Sequence, residues 1–293
     1  MVNKIAVVTG ATSKIMELVI NKLVIHDFQI IAISRKPQPK SENNKIQWVT
    51  CDLSLPDSDF SFLKNADILF HTAAISNYYN REEYLTNNYG STVHIVKAAS
   101  DYGVEKIVYI SSILSGYEYG DYGLSKIKSE EFITQNFNNW LIIRPSQVYG
   151  LSGKNPIDQL IENIRKNRFI VCPIGDEEGI SPVYVLDIAD KIIEYSMAEN
   201  LSGTIQCISG PKSYSYKSLI TEIARCLKKK VFIVPVPKFL VLAVYWIIVL
   251  LKLKIGIYPD KLYRFYHGNS SINENPTDQM PLSDYLSNIA LFH

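Results

Sequence analysis

One pattern constrains this chain more than any other: short β-branched runs alternate with segments of helical spacing. "KIAVVTG" reads as a strand, and "KIMELVINKLVIHD" as a helix with Ile15, Leu18, Val19, Leu23 and Val24 on one face. "QIIAISR", "IQWVTCDL" and "ADILFHTAA" add three strands, and "YLTNNYGSTVHIVKAASDYG" a helix that stops near Gly103, a suitable left-handed cap. "KIVYISS" is a fifth strand, "YGLSKIKSEEFITQN" a helix and "NWLIIRPSQVYG" a sixth strand. Neighbouring parallel strands need a crossover, and helices supply it. The chain is therefore expected to be α/β, a doubly wound parallel sheet whose ligand lies across the carboxyl ends of its strands.

Beyond Gly150 the elements shorten and turn residues enter, as in "IGDEEG" and "ISGPKS". The expected division is a nucleotide-binding domain at 1–150, its sheet completed by segments within 181–210, and a smaller, interleaved C-terminal substrate lobe at 151–293. The 30 Lys+Arg nearly cancel the 29 Asp+Glu, which argues against nucleic acid as a partner and for one small anion. Cys51, Cys172, Cys207 and Cys226 form no CxxC pair, and the histidines His26, His71, His94, His267 and His293 are scattered. Neither a metal site nor a disulfide frame is expected. The N-terminus enters a strand at once, and the chain reads as cytoplasmic. The run "FLVLAVYWIIVLL", residues 239–251, is apolar all round but too short to span a bilayer. It reads as a buried or dimer-facing helix, or as a peripheral, in-plane membrane contact flanked by Lys252 and Lys254.

Chemistry concentrates in "YGLSK", where Tyr122 and Lys126 fall one turn apart on one helical face, shortly after "SS" at a strand end. An ammonium beside a phenol favours the phenolate, so Tyr122 could move a proton to or from a carbinol or carbonyl oxygen near neutral pH. Ser112, with Ser111 as the alternative, could hydrogen-bond that same oxygen. "TGATSKIM" after the first strand has the outline of a phosphate-binding turn. Gly10 remains, while Ser13 and Met16 stand where further glycines are usual, and Lys14 adds a cation.

The series "VVTGATS", "CDLS", "HTAA", "NNYGS", "YISS", "YGLSK", "IIRPSQVYG" and "VYVLDIAD" resembles the extended short-chain dehydrogenase/reductases, the NAD-dependent epimerase/dehydratase branch, over residues 1 to about 215. The resemblance implies a Rossmann-type sheet and an NAD(P) cofactor. It makes Tyr122 the acid/base, Lys126 the residue that lowers its pKa and holds the nicotinamide ribose, and Ser112 the carbonyl donor. Gly10, Thr12, Ser13, Lys14 and Ile15 of the turn are candidate cofactor-binding residues, and the resemblance places Asp52 and Leu53 at the adenine and Ala73 and Ala74 along the cofactor channel. Asn87 would support the active-site strand, and Pro145, Ser146 and Val148 would lie beside the nicotinamide. The second strand ends in Ser34, Arg35 and Lys36 where NAD-preferring members usually carry an acid. These donors suit a 2′-phosphate, so NADP(H) is expected over NAD(H), which could still bind.

The loop between Ser112 and Tyr122 is shorter than that of most such enzymes, and Ile113 and Ser115 also lie within it. The expected function is an oxidoreductase or epimerase acting on a hydroxyl or keto group, most naturally of a nucleotide sugar. The alternatives are a catalytically silent NAD(P)-binding sensor or scaffold, or a membrane-associated reductase of a lipid-like ketone. Tyr149, Asn155, Arg165 and Tyr184 are candidates for substrate contacts. The resemblance also implies a homodimer through the helices at about 90–102 and 122–137.

Overall fold

A computed structural model describes residues 4–151, 155–174, 179–251, 260 and 279–290. Residues 175–178 of the "IGDEEG" turn, together with Lys252 and Lys254, lie outside the described residues. The chain forms two compact units, Met1–Arg144 with Ala189–Gln206, and Pro145–Ile188 with Cys207–His293.

The first unit opens with β1 (Ile5–Thr9), α1 (Lys14–Ile25), β2 (Gln29–Ser34), β3 (Ile46–Thr50) and β4 (Ile68–His71). A short helix α2 (Arg81–Tyr84) runs through a π-helical turn (Leu85–Gly90) into α3 (Ser91–Asp101), and β5 (Lys106–Ile110), α4 (Gly120–Asn136) and β6 (Trp140–Pro145) follow. Helix α3 ends as expected: Gly103 takes φ +72°, and the Val104 N–H closes on the Ala99 carbonyl at 2.9 Å. The remaining elements are β7 (Val148–Tyr149), α5 (Pro156–Lys166), β8 (Phe169–Ile174), β9 (Val183–Tyr184), α6 (Val185–Met197), β10 (Thr204–Ile208), α7 (Tyr216–Cys226), β11 (Phe232–Pro237), α8 (Lys238–Leu250) and α9 (Leu282–Ala290).

The main sheet has seven strands in the order β10-β6-β5-β4-β1-β2-β3, and the pairs from β3 to β6 are all parallel. Strand order reverses between β1 and β4, so their carboxyl ends splay apart and open a crevice. Strands buried on both faces should be continuously apolar. Ala6, Val7, Val8, Leu69, Phe70, Ile107, Val108, Leu141, Ile142 and Ile143 are each 0% exposed.

Three sequence expectations shift. Helix α1 buries Met16, Val19, Ile20 and Leu23, a stripe rotated by one position from the expected Ile15–Leu18–Val24 face. The sheet selects the stripe, and Met16 fills it completely at 0% exposure. The expected sixth strand ends early. Pro145 offers no donor, the Ser146 N–H still reaches the Ile208 carbonyl at 2.8 Å, and Val148–Tyr149 then pairs with Val183–Tyr184 in a separate parallel ribbon. Finally, α8 is not buried: Phe239, Leu240, Val244, Trp246, Ile247 and Leu250 are all exposed. No described helix is long and apolar enough to cross a membrane.

The second unit has its own core, in which Ile157, Leu160, Ile161 and Ile164 of α5 meet Leu219, Ile220 and Ile223 of α7 and Leu282 and Leu286 of α9. A further parallel ribbon pairs β8 with β11, Phe169 opposite Phe232.

Because Met16 is core, restoring a glycine there should empty a cavity and add helix-interior entropy. Met16→Gly is expected to lose about 2–5 kcal/mol in urea denaturation, whereas Ser13→Gly should cost only a few tenths.

Candidate active site

The crevice at the switch point is a cleft of about 210 Å³ lined from the ends of four strands. Gly10, Thr12 and Ser13 come from the β1–α1 turn, Ser34 and Arg35 from β2, Cys51, Asp52 and Leu53 from β3, and Thr72 to Ile75 from β4, with Asn87 and Ser91 alongside. Gly10 takes φ +64°, and a Cβ there would meet the Ala73 nitrogen and Thr72 Cγ2 at 3.0 Å. That one glycine is required on both counts.

Ser13 needs no such freedom. It sits in extended backbone at φ −76°, ψ 147°, as the N-cap of α1, its hydroxyl accepting the Met16 N–H at 3.3 Å. Among the described residues the N–H groups of Lys14 and Ile15 have no acceptor, so the first turn keeps donors for an anion. The cleft thus fits a dinucleotide pyrophosphate by its backbone. The side chains of Lys14 and Ile15 do not line it, and the Lys14 ammonium is spent on Glu17 at 2.9 Å, both exposed. The expectation of a lysine cation at the phosphate is corrected accordingly: its helix position turns the side chain outward.

At the far end of the cleft, Arg35 lines the wall and Lys36 does not. The Ser34 hydroxyl accepts from the Lys36 N–H and Gln38 Nε2, both at 3.3 Å. Asp52 Oδ1 accepts from the Ser54 hydroxyl at 2.7 Å and N–H at 3.0 Å. The Ser54 hydroxyl, its N–H and the nearby Arg35 charge hold the Asp52 carboxyl below its ordinary range against partial burial.

The Tyr122–Lys126 pair lies at the start of α4, against the carboxyl end of β5. Lys126 is 1% exposed; its Nζ donates to the Ile110 carbonyl at 2.9 Å and stands 4.3 Å from the Tyr109 ring centroid. Burial pushes its pKa down to about 7, with the Glu130 carboxylate opposing. Tyr122 remains partly exposed, edge-on to the Tyr84 ring at 6.3 Å.

Helix α4 is tied to β6 by a buried ion pair in which Glu130 Oε1 accepts Arg144 Nε at 3.0 Å and Oε2 accepts Arg144 Nη2. The Ser111 hydroxyl donates to Glu130 as well, which removes it as the alternative to Ser112. The Ser112 hydroxyl accepts the Leu114 N–H at 3.1 Å. Ser115 Oγ is buried with no hydrogen-bond partner, a second hydroxyl in the same loop with its capacity unspent.

Two corrections concern support. Asn87 was expected to brace the active-site strand, but it lines the cleft and donates to the Glu83 carbonyl at 2.9 Å. The brace is Asn88, 1% exposed. It accepts the Ile75 N–H at 2.8 Å and donates to the Ile75 carbonyl at 3.0 Å and Ser125 Oγ at 2.9 Å, so it ties the cleft wall to α4.

His71, which nothing in the sequence singles out from the other histidines, is fully buried and stacked on Tyr109 at 5.4 Å. Thr92 Oγ1 donates to the Asn88 carbonyl at 2.8 Å, so it accepts from His71 Nε2 at 3.0 Å. His71 Nδ1 then accepts from Thr9 Oγ1 at 2.8 Å, which itself accepts the N–H groups of Thr72 and Ala73. Burial, with the Lys126 charge adding, pushes the His71 pKa down to about 3, so this neutral tautomer persists.

Pro145, Ser146 and Val148 belong to the second unit, at the end of β6 and in β7. The Tyr149 hydroxyl is spent on the Met280 carbonyl at 2.5 Å. Asn155 caps α5 by accepting the Asp158 N–H at 2.9 Å. Both are structural, which corrects their reading as substrate contacts. Arg165 pairs with Glu162 at 3.1 Å, and Tyr184 packs on Tyr149 and Tyr285. No group of metal-ligating side chains occurs among the described residues.

The model of the NAD dependent epimerase/dehydratase family matches residues 6–194. The chain is 27% identical over 209 residues to UDP-glucose 4-epimerase of Vibrio cholerae, covering 61% of this chain and 63% of that protein. It is 21% identical over 247 residues to the mitochondrial NADH-ubiquinone oxidoreductase 40 kDa subunit of Neurospora crassa, covering 80% and 63%. The chain therefore spans less than two thirds of the length of these relatives. The solved structure of MoeE5 in complex with UDP-glucose and NAD superposes with a TM-score of 0.69 at 18% identity, covering 98% and 97% of the two chains.

Lys126→Met should stabilise the fold by about 1–4 kcal/mol, the scale on which apolar replacements relieve buried charge. The unfolded chain keeps Lys126 protonated up to its ordinary pKa of 10.5, whereas the folded protein releases that proton near 7. The stability gap between variant and wild type should be widest below pH 7 and close as pH rises toward 10.5. Urea titrations across that range read it. In the same assay Asn88→Ala should lose about 1–3 kcal/mol, and Asn87→Ala within about 0.5.

Proposed function

We propose, on the premise that the chain belongs to the NAD-dependent epimerase/dehydratase family, that it is an NAD(P)-dependent oxidoreductase acting on a hydroxyl or keto group of a nucleotide sugar. The observation that carries this reading is the burial of Lys126 one helical turn after a partly exposed Tyr122. A cation that lowers stability, aimed at the carbonyl that ends β5 of a doubly wound sheet, is what proton transfer by the tyrosine requires. A nicotinamide cofactor, when bound, supplies or accepts the hydride.

The residues of this chain do the rest. Gly10 and the free N–H groups of α1 bind the pyrophosphate, and Asp52, Leu53, Ala73 and Ala74 line the path of the dinucleotide. Lys126 favours the Tyr122 phenolate by its charge, so Tyr122 takes the proton from a carbinol or returns it to a carbonyl oxygen. Ser112 or Ser115 donates a hydrogen bond to the same oxygen. The nucleotide-sugar substrate is supported by the UDP-glucose relatives. The reading as a silent binder loses its main support, since Ser13 at the altered glycine turn is an unstrained cap.

For the cofactor, Arg35 in the cleft wall and the lack of an acid at the end of β2 favour NADP(H); the neighbour solved with NAD marks the competing outcome. A homodimer through α3 and α4 completes the proposal, and light scattering of the purified protein tests it.

Tyr122→Phe should lower kcat by about 100-fold or more on UDP-sugars while leaving the Kd for cofactor nearly unchanged. Turnover that survives the substitution would sink the assignment. In fluorescence titrations NADPH should bind tighter than NADH, and Arg35→Ala should erase about tenfold of that difference. Wild-type binding of NADH tighter than NADPH would return the preference to NAD, and an unaltered ratio in Arg35→Ala would remove Arg35 as its source.

A further inference from the structure

The second unit carries an apolar face that its own core does not use. In the β8–β11 ribbon, Ile170 and Cys172 point inward at 1% and 6% exposure, while Phe169 and Val171 point outward at 68% and 57%. Phe232 and Val234 repeat the pattern opposite them at 61% and 38%. The Phe169 and Phe232 rings stack on each other at 5.6 Å, out in solvent. Helix α8 reads straight out of β11 and adds Phe239, Leu240, Val244, Trp246, Ile247 and Leu250, all exposed. So many exposed apolar side chains on two successive elements of a folded unit mark an interaction site.

Its border says what the partner is. The Phe232 N–H bonds the Arg168 carbonyl at 2.7 Å, which brings Arg168 beside the run Lys228–Lys229–Lys230 at the amino end of the ribbon. The run is fixed where it stands: the Lys228 N–H closes on the Arg225 carbonyl at 3.1 Å and the Lys229 N–H on that of Ala224 at 2.9 Å. All four cations are exposed, and none has an ion pair among the described residues. Of the acids around them, Glu222 is engaged with Arg225 and Glu162 with Arg165 and Lys166, while Asp284 lies toward Cys226 and pairs with none of the four among the described residues.

Two copies meeting through this face would set the same uncompensated cations against each other, because an isologous interface repeats one patch on both sides. An anionic surface with an apolar interior satisfies both features at once. We infer that the β8–β11 ribbon and α8 form a docking face for an anionic phospholipid bilayer, with Phe169, Phe232 and Trp246 entering the interface and Arg168 and Lys228–Lys230 lying on the headgroups. Aromatic side chains favour that depth, and 13 residues of α8 lie in the plane rather than across it.

The experiment is co-sedimentation of the full chain with phosphatidylcholine vesicles, with and without phosphatidylglycerol. Binding is expected only with phosphatidylglycerol and should weaken as salt rises. Reversing three charges in Lys228→Glu/Lys229→Glu/Lys230→Glu should weaken it about a hundredfold or more. Phe169→Ser/Phe232→Ser should abolish it at any salt. Brominated lipid should quench the tryptophan fluorescence of the wild type and should quench Trp246→Phe less. The inference is overturned by absence of vesicle binding, by binding that neither variant weakens, or by a wild-type oligomer that Phe169→Ser/Phe232→Ser dissociates.

Discussion

A single ammonium buried against the end of β5 organises the first unit. Lys126 has surrendered nearly all its hydration and receives in return one carbonyl, at Ile110, and the face of Tyr109. Such a group persists only where its surroundings hold it, and here they do so from two sides. The Glu130–Arg144 pair clamps α4 to β6 one turn further on, and Asn88 clamps the first turns of α4 to the loop after β4. The same clamps fix the backbone of Tyr122, so the position of that phenol follows from the means by which a costly cation is kept in place.

A second line of polar groups runs from Thr9 through His71 and Thr92 to the Asn88 carbonyl. Every donor along it has an acceptor, which is the condition for a polar chain to stiffen a core. Its two ends matter. Thr9 holds the Thr72 and Ala73 N–H groups beside Gly10, and Asn88 holds α4. The Gly10 turn and helix α4 are therefore parts of one hydrogen-bonded framework, and burial keeps His71 neutral so that the framework does not change with physiological pH.

The second unit follows another economy. Its core is drawn from α5, α7 and α9, and the outer sides of the β8–β11 ribbon and α8 are left apolar and bordered by cations. The apolar run at 239–251 is conspicuous in the sequence, yet nothing in it distinguishes a buried helix from an exposed one. Only the exposure of its side chains decides that.

What the sequence determined by itself was whatever rests on local period and local chemistry. The alternation of strand and helix, and with it a doubly wound parallel sheet, could be read because two periods of burial leave distinct patterns. Gly10 and the Tyr122–Lys126 turn could be read because each needs only its own few residues. The choices between neighbours were different. Asn87 and Asn88 are identical and adjacent, and the π-helical turn at Leu85–Gly90 adds a residue to the helical repeat, so which amide faces inward is set by how α3 meets α4. Met16 rather than Ile15 enters the core because β1 fixes the rotation of α1. Ser13 looked like a lost glycine until its backbone angles made it a cap, and His71 looked like one scattered histidine until Thr9 and Thr92 closed around it. Side-chain direction depends on the packing of distant segments, and that is a property only the tertiary structure has.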